Sequence, residues 1–344
     1  MSVAAPSAAR VEAQLRQIER DGGSGKVDFG RGGTLQVSSL GKPYFENGIT
    51  KGALMRYYAN VWSALMPHVR DRPLVLKRYP DGASGPMFFQ QNAGENVPDS
   101  VRVEEVETRD DGAKPRIIGG DLATLLYTVQ IGSIEVHPWL SRIGHLDTPD
   151  RCLIDLDPGD DVPFSAVVAL TRQLLAIIRE SGLRAAVKTS GASGMHLVVP
   201  LPAGISHDTS AELALLIACV GAARYPERAT VERSLRSRPA GTIYVDPLQN
   251  ARGKSMACAY SVRAKEGAPV SAPIAERELT ARLRLSSLTV KTVPKRITRS
   301  GDLWGAALAP APSRRTLAKA VEILAGMLED APSATRPKRL RKRS

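Results

Sequence analysis

The stretch Leu153-Ile154-Asp155-Leu156-Asp157-Pro158-Gly159 organises the reading of the chain. Leu153, Ile154 and Leu156 mark a short buried strand, and Pro-Gly ends it in a turn. Asp155 and Asp157, two apart, share one face of that strand at roughly 7 Å along the backbone. Two carboxylates at the end of a buried strand repel each other and are costly to desolvate unless a cation lies between them. Oxygen-only ligands at that spacing suit Mg²⁺ or Mn²⁺, the metals of phosphoryl transfer. An Asp-x-Asp before a turn equally fits helix capping or loop chemistry, so the motif alone leaves both readings open.

Working outward, 344 residues hold one large or two modest domains, and 43% apolar with 24% charged residues is ordinary for a globular chain. The net charge of +12 is not ordinary. About half of that excess lies in a tail carrying Arg336, Lys338, Arg339, Arg341, Lys342 and Arg343, which the composition predicts to be disordered. The remaining charge favours polyanionic partners, nucleic acid before membrane, with solubilising surface charge as the alternative. Three dispersed cysteines, Cys152, Cys219 and Cys258, and the absence of any Cys-x-x-Cys exclude a disulfide framework or a structural zinc and fit a reducing, cytoplasmic setting. No signal peptide is expected at Met1–Arg10, and no apolar run is long enough to span a bilayer.

Residues 1–35, rich in Ala, Gly and Ser, read as a flexible extension with one short helix over Val11–Arg20. Thr50 is a predicted N-cap for a helix with the face Leu54, Tyr57, Tyr58, Val61, Trp62 and Leu65. Lys42 and Lys51 flank its start, where an anion is favoured; two solvated lysines are the plainer reading. Pro73–Pro80 predicts a strand, ended by Asp81-Gly82 and paired with Met87–Gln90. On that partner Phe88 and Phe89 point to opposite faces, one of them a candidate base-stacking ring beside basic residues; core packing of both is the alternative. Asp121–Leu140 predicts a helix running into Glu135-Val136-His137-Pro138-Trp139. Helices are expected at 164–180, 210–224 and 314–328, and strands at 184–188, 195–200, 242–246 and 256–263. The loop Thr189-Ser190-Gly191-Ala192-Ser193-Gly194, followed by His196, can cradle phosphate through backbone amides, although most such loops are turns. Asp246, before Pro247, is another carboxylate at a strand end. The order of elements predicts a mixed α/β (α+β) fold in which strands deliver polar residues to one site.

Taken together these segments resemble the archaeo-eukaryotic primase-polymerase superfamily, with a closer likeness to the polymerase domain of bacterial ligase D. The likeness rests on Leu76-Lys77-Arg78-Tyr79-Pro80-Asp81-Gly82, Phe88-Phe89-Gln90-Gln91-Asn92-Ala93, Glu135-Val136-His137-Pro138-Trp139, Asp155-Leu156-Asp157-Pro158-Gly159, Lys188-Thr189-Ser190-Gly191-Ala192-Ser193-Gly194-Met195-His196, and Val245-Asp246-Pro247-Leu248-Gln249-Asn250-Ala251-Arg252-Gly253. They follow the family's order over residues 40–290.

The resemblance implies an RRM-like catalytic sheet flanked by helices: a catalytic domain over 36–300, a helical segment over 301–331 and the basic tail from 332. It implies Asp155, Asp157 and Asp246 as a catalytic triad holding two Mn²⁺ or Mg²⁺ ions. It implies Lys77, Phe88, Phe89, His137, Ser190, His196, Gln249 and Arg263 as nucleotide-binding residues, and Lys42 and Lys51 as the grip on a DNA 5′-phosphate. The implied activity is template-directed nucleotidyl transfer in gap filling and end joining, ribonucleotide-preferring and with primase activity in view, by a cytoplasmic, nucleoid-associated monomer. Its implied partners are gapped or broken DNA, NTPs and dNTPs, and an ATP-dependent ligase and Ku in trans, as for stand-alone relatives. Three departures from the family pattern stand out: Ser193 in place of a common Lys, Gln91-Asn92 in place of a Lys-His pair, and Pro247 in place of an aromatic. None alters the three acids. Two rival readings are a metal-dependent nuclease, which would have no triphosphate for Ser190 and His196 to hold, and a DNA-binding scaffold, which leaves three acids facing a polyanion unexplained.

Overall fold

A computed structural model describes residues 7–108 and 112–331. The basic tail expected from residue 332 lies outside the described residues. The chain forms two compact units. One takes residues 7–143, 255–272 and 286–302, and the other 144–254, 273–285 and 303–331.

The first unit begins where a flexible extension was expected. Helix α1 (Ala8–Arg20) is capped by Ser7, and Val11, Leu15 and Ile18 form a buried stripe at helical spacing. Strands β1 (Gly25–Asp28) and β2 (Thr34–Val37) close a hairpin that buries Val27, Leu35 and Val37. These apolar residues, sparse among Gly and Ser, are enough to seat the segment against α2 (Lys51–Val69). Thr50 caps α2 as predicted, its hydroxyl accepting from the Ala53 amide. Leu54, Tyr57, Tyr58, Val61 and Leu65 are buried, while Trp62 is only half-buried.

Strands β3 (Leu74–Arg78), β4 (Phe88–Gln90), β5 (Val103–Thr108) and β6 (Gly112–Ile117) lead to α3 (Leu122–Gln130) and β7 (Ser133–Pro138). Thus α3 stops well short of Leu140. Gly132 takes a positive φ of 95°, where an added Cβ would press on Pro80, and the chain turns there into β7. A three-stranded antiparallel sheet results, in the order β4-β3-β7. The strand expected over 256–263 is also absent. Tyr260 sits at φ 69°, and only single bridges, Trp139 to Ser255 and Val262 to Val270, form along that run. Tyr260 is held in this left-handed conformation by hydrogen bonds from Tyr57 to its carbonyl (2.8 Å) and from its hydroxyl to Asp302 (2.6 Å).

The second unit comprises β8 (Arg151–Pro158), α4 (Phe164–Glu180), β9 (Ala186–Thr189), β10 (Met195–Pro200), α5 (His207–Arg224), β11 (Ala229–Thr230), β12 (Ile243–Asp246) and β13 (Pro273–Ile274), followed by helices over Leu303–Leu308 and Arg314–Glu329. Its six-stranded sheet runs β11-β12-β8-β10-β9-β13. One face packs on α4 and α5: Cys152 Sγ donates to the Ser210 carbonyl and Thr171 Oγ1 meets Met195 Sδ. Cys152, Ile154, Leu156, Met195 and Leu197 are fully buried on that side. Alternation then turns the odd-numbered residues of β8 to the opposite face.

Candidate active site

The β8 register decides which side chains share that opposite face. Asp155 stands directly across from Asp246 on β12 and from His196 on β10, and His196 in turn stands across from Lys188 on β9. One row therefore crosses four strands as Asp246, Asp155, His196, Lys188. Asp157 lies on the same face, opposite Tyr244.

Lys188 is fully buried and its Nζ lies 2.6 Å from His196 Nδ1. An ammonium can only donate, so Nδ1 accepts and the imidazole proton sits on Nε2, which faces Asp155 Oδ1 at 3.3 Å. Asp246 accepts from the Leu248 backbone amide (2.8 Å), the Gln249 side-chain Nε2 (3.1 Å) and the Tyr244 hydroxyl (3.2 Å). Asp157 pairs with Arg238, whose guanidinium stacks on Tyr244. Burial, and next the negative charge of Asp155, push the Asp157 carboxyl above its ordinary range; Arg238 opposes the shift and Asp246 adds to it.

The turn after Asp246 is pinned by Asn250. Its side-chain amide donates to the Leu153 and Pro247 carbonyls, and its oxygen accepts from the Leu153 amide at 2.8 Å and the Ser210 hydroxyl. In the glycine loop, Ser190 Oγ accepts from the amides of Ala192 and Gly194. Those two donors are thus engaged by the loop's own hydroxyl. Gly194 passes so close to the Leu156 carbonyl oxygen that any Cβ there would collide with it.

These residues fit a divalent-metal site in donor chemistry and backbone register: three oxygen ligands on one face of two paired strands, with Asp157 destabilised as an anion by its acidic neighbours. Among the described residues, however, no three His, Cys, Asp or Glu side chains already converge as a metal-holding group. The carboxylates are turned to the partners named above.

The first unit gathers a second polar set. Glu135, on β7, is 2% exposed. Its carboxylate meets His137 Nε2 (2.9 Å), Arg263 Nε (2.9 Å), Lys77 Nζ (3.4 Å), the Tyr79 hydroxyl (3.2 Å) and the Ala264 amide (3.3 Å). Burial alone would raise the Glu135 carboxyl. The His137 hydrogen bond and the charges of Arg263 and Lys77 outweigh it and hold the group well below the usual carboxylate range. Phe88 and Phe89 are both exposed, at 45% and 58%, so neither joins the core. Arg78 lies over Phe88 and Lys77 over Phe89. Lys42 and Lys51 line a cavity of 240 Å³ together with Tyr44, Arg78 and Gln130. Lys51 is buried and donates to the Ser38 carbonyl; burial, then the charge of Lys42, push its ammonium down to about 8.

Of the residues expected at the site, Asp155, Asp157, Asp246, His196, Ser190 and Gln249 thus lie in the second unit. Lys77, Phe88, Phe89, His137, Arg263, Lys42 and Lys51 lie in the first. Sequence reasoning gave no role to Lys188, Glu135 or Arg238. Glu135 had a legible signal, because Glu-x-His on a strand places both side chains on one face.

Acids and cations along one sheet face, beside a glycine loop, are the equipment of an enzyme of phosphoryl or nucleotidyl transfer. The chain belongs to the LigD primase-polymerase domain family, nucleotidyltransferases whose family model matches residues 50–304. It is 37% identical over 249 residues to the multifunctional non-homologous end joining protein LigD of Pseudomonas aeruginosa, covering 72% of this chain and 29% of that protein. It is 32% identical over 269 residues to the bifunctional protein LigD of Bacillus subtilis, covering 78% and 43%. The chain therefore spans less than half the length of either relative. Among solved structures it is similar to the polymerase domain of Mycobacterium tuberculosis ligase D in complex with DNA, with a TM-score of 0.74 and 28% identity over 81% of this chain and 99% of that one. Among the described residues no helix is long and apolar enough to cross a membrane.

Proposed function

We propose that this chain is a template-directed nucleotidyltransferase that fills gaps at broken DNA ends during non-homologous end joining. The observation that carries this reading is the register that sets Asp246 opposite Asp155, with Asp157 on the same face. Asp155, Asp157 and Asp246 would hold two Mn²⁺ or Mg²⁺ ions. Such ions, when bound, lower the pKa of a primer 3′-hydroxyl and offset the charge on the departing pyrophosphate.

The chain's own residues supply the remainder. Gln249 and the Leu248 amide orient Asp246, and Lys188 fixes the tautomer in which His196 turns Nε2–H toward Asp155. Ser190, His196, Lys77, His137 and Arg263 are proposed to contact the triphosphate, and an exposed ring of Phe88 or Phe89 to stack on the base. Lys42 and Lys51 are proposed to bind the 5′-phosphate at the far side of a gap. The preference for ribonucleotides, primase activity, and an ATP-dependent ligase and Ku as partners belong to the same proposal.

The test is incubation with a 5′-phosphorylated gapped duplex, Mn²⁺ and either NTPs or dNTPs. Templated extension, faster with NTPs, is expected. Strand cleavage would establish a nuclease instead, and binding without chemistry would leave a scaffold.

A further inference from the structure

Glu135 is the most buried member of its cluster. The side chains of Lys77, His137 and Arg263 keep 19%, 14% and 16% exposure, against 2% for Glu135. The carboxylate therefore lies beneath three basic groups that retain access to solvent. The groups that meet it are Lys77 and Tyr79 from β3 and the residue after it, His137 from β7, and Arg263 and the Ala264 amide from the 255–272 segment, and its charge also acts on the buried Tyr58 hydroxyl of α2. Removing one ion of a buried cluster leaves the others uncompensated, so such a carboxylate governs where its partners stand.

We propose that Glu135 is a positioning residue for nucleotide binding: its carboxylate holds Lys77, His137 and Arg263 as one array and commits His137 to donate from Nε2, so that a triphosphate binds together with one proton taken up at His137 Nδ1. This rests on the reading that these three residues bind the triphosphate. With Nε2–H given to Glu135, the neutral ring presents only a lone pair on Nδ1, which repels a phosphate oxygen. Donation to that oxygen requires a second proton, drawn from the buffer. In the nucleotide-free chain burial, reinforced by Arg263 and Lys77, lowers the His137 pKa despite the opposing pull of Glu135. His137 is therefore neutral at pH 7 until an anion arrives. The sign follows: a group protonated only in the complex makes affinity fall as pH rises through the pKa it has in the complex.

The experiment is calorimetric titration of the full chain with ATP and Mg²⁺ at several pH values, in two buffers of different ionisation enthalpy. The wild type is expected to take up close to one proton near neutral pH and to bind more weakly as pH rises. Glu135→Gln is expected to weaken binding about tenfold and to move the pH dependence to lower pH. His137→Asn, which removes no buried charge and so stays readable should Glu135→Gln fail to fold, is expected to abolish proton uptake. Wild-type affinity and uptake in Glu135→Gln, or unchanged uptake in His137→Asn, overturns the proposal. Arg263→Ala and Lys77→Ala distinguish the two levels: wild-type ATP binding in both overturns the triphosphate reading and Glu135's role with it, whereas weakened binding in them beside an unaffected Glu135→Gln overturns the role of Glu135 alone.

Discussion

Asp246 on β12 faces Asp155 on β8 across an antiparallel pair, and Asp157 follows two residues along the same face. Like charges directly opposite on a sheet are destabilising. The local arrangement therefore works against the fold, and such conflicts are expected where function overrides stability. What keeps the pair in place is the rest of the unit: the fully buried alternate face of β8 and the Asn250 clamp behind it.

That clamp yields a first prediction. Asn250→Ala strips the Leu153 amide and carbonyl, both buried, of their side-chain partners. The cost is expected to be about 2–6 kcal/mol, from roughly 1–3 kcal/mol for each of the two buried polar groups left unsatisfied. Urea denaturation checks it, and a loss under 0.5 kcal/mol would show that the turn holds itself.

Lys51 yields a prediction in pH. Its ammonium, pushed down to about 8 by burial and by Lys42, is charged at pH 7 and largely neutral at pH 9. If Lys42 and Lys51 grip a 5′-phosphate, the preference for phosphorylated over unphosphorylated gaps is expected to shrink between these values. Fluorescence anisotropy with the two duplexes measures it. A preference unchanged at pH 9 would count against Lys51.

The exposed phenylalanines can be tested by truncation. Stacking on a nucleobase contributes about 1–3 kcal/mol per base. Loss of the stacking ring, by Phe88→Ala or Phe89→Ala, is expected to raise KM for the incoming nucleotide about tenfold or more while the fold is unaffected, since neither ring is in the core. Unchanged KM in both variants would assign the pair to some other contact.

How far the sequence carried this account depends on whether each signal was local. Asp155 and Asp157 were legible because i and i+2 share a face on any strand, and the Thr50 cap because its partner is three residues away. The facing of Asp246 and Asp155, and the approach of Arg263 to Glu135, depend on strand order and on a return of the chain between units, which no local pattern encodes. The helix over Val11–Arg20 was legible from the stripe Val11, Leu15 and Ile18, but the hairpin over 25–37 was not, because Gly and Ser dominate its composition. The run 256–263 was misread for the opposite reason. Its apolar content marks burial, yet a strand also needs a ladder partner, and Tyr260's left-handed backbone withdraws the chain from one.

The central claim, that three acids brought together by strand register perform nucleotidyl transfer, is tested most directly by Asp246→Asn. The measurement is single-turnover primer extension on a gapped duplex with Mn²⁺, with DNA affinity determined on the same preparation. Loss of a charged group that acts only in the transition state is expected to slow extension on the order of a thousandfold or more, with DNA affinity within about twofold of wild type. Extension at a rate within tenfold of wild type would contradict the account.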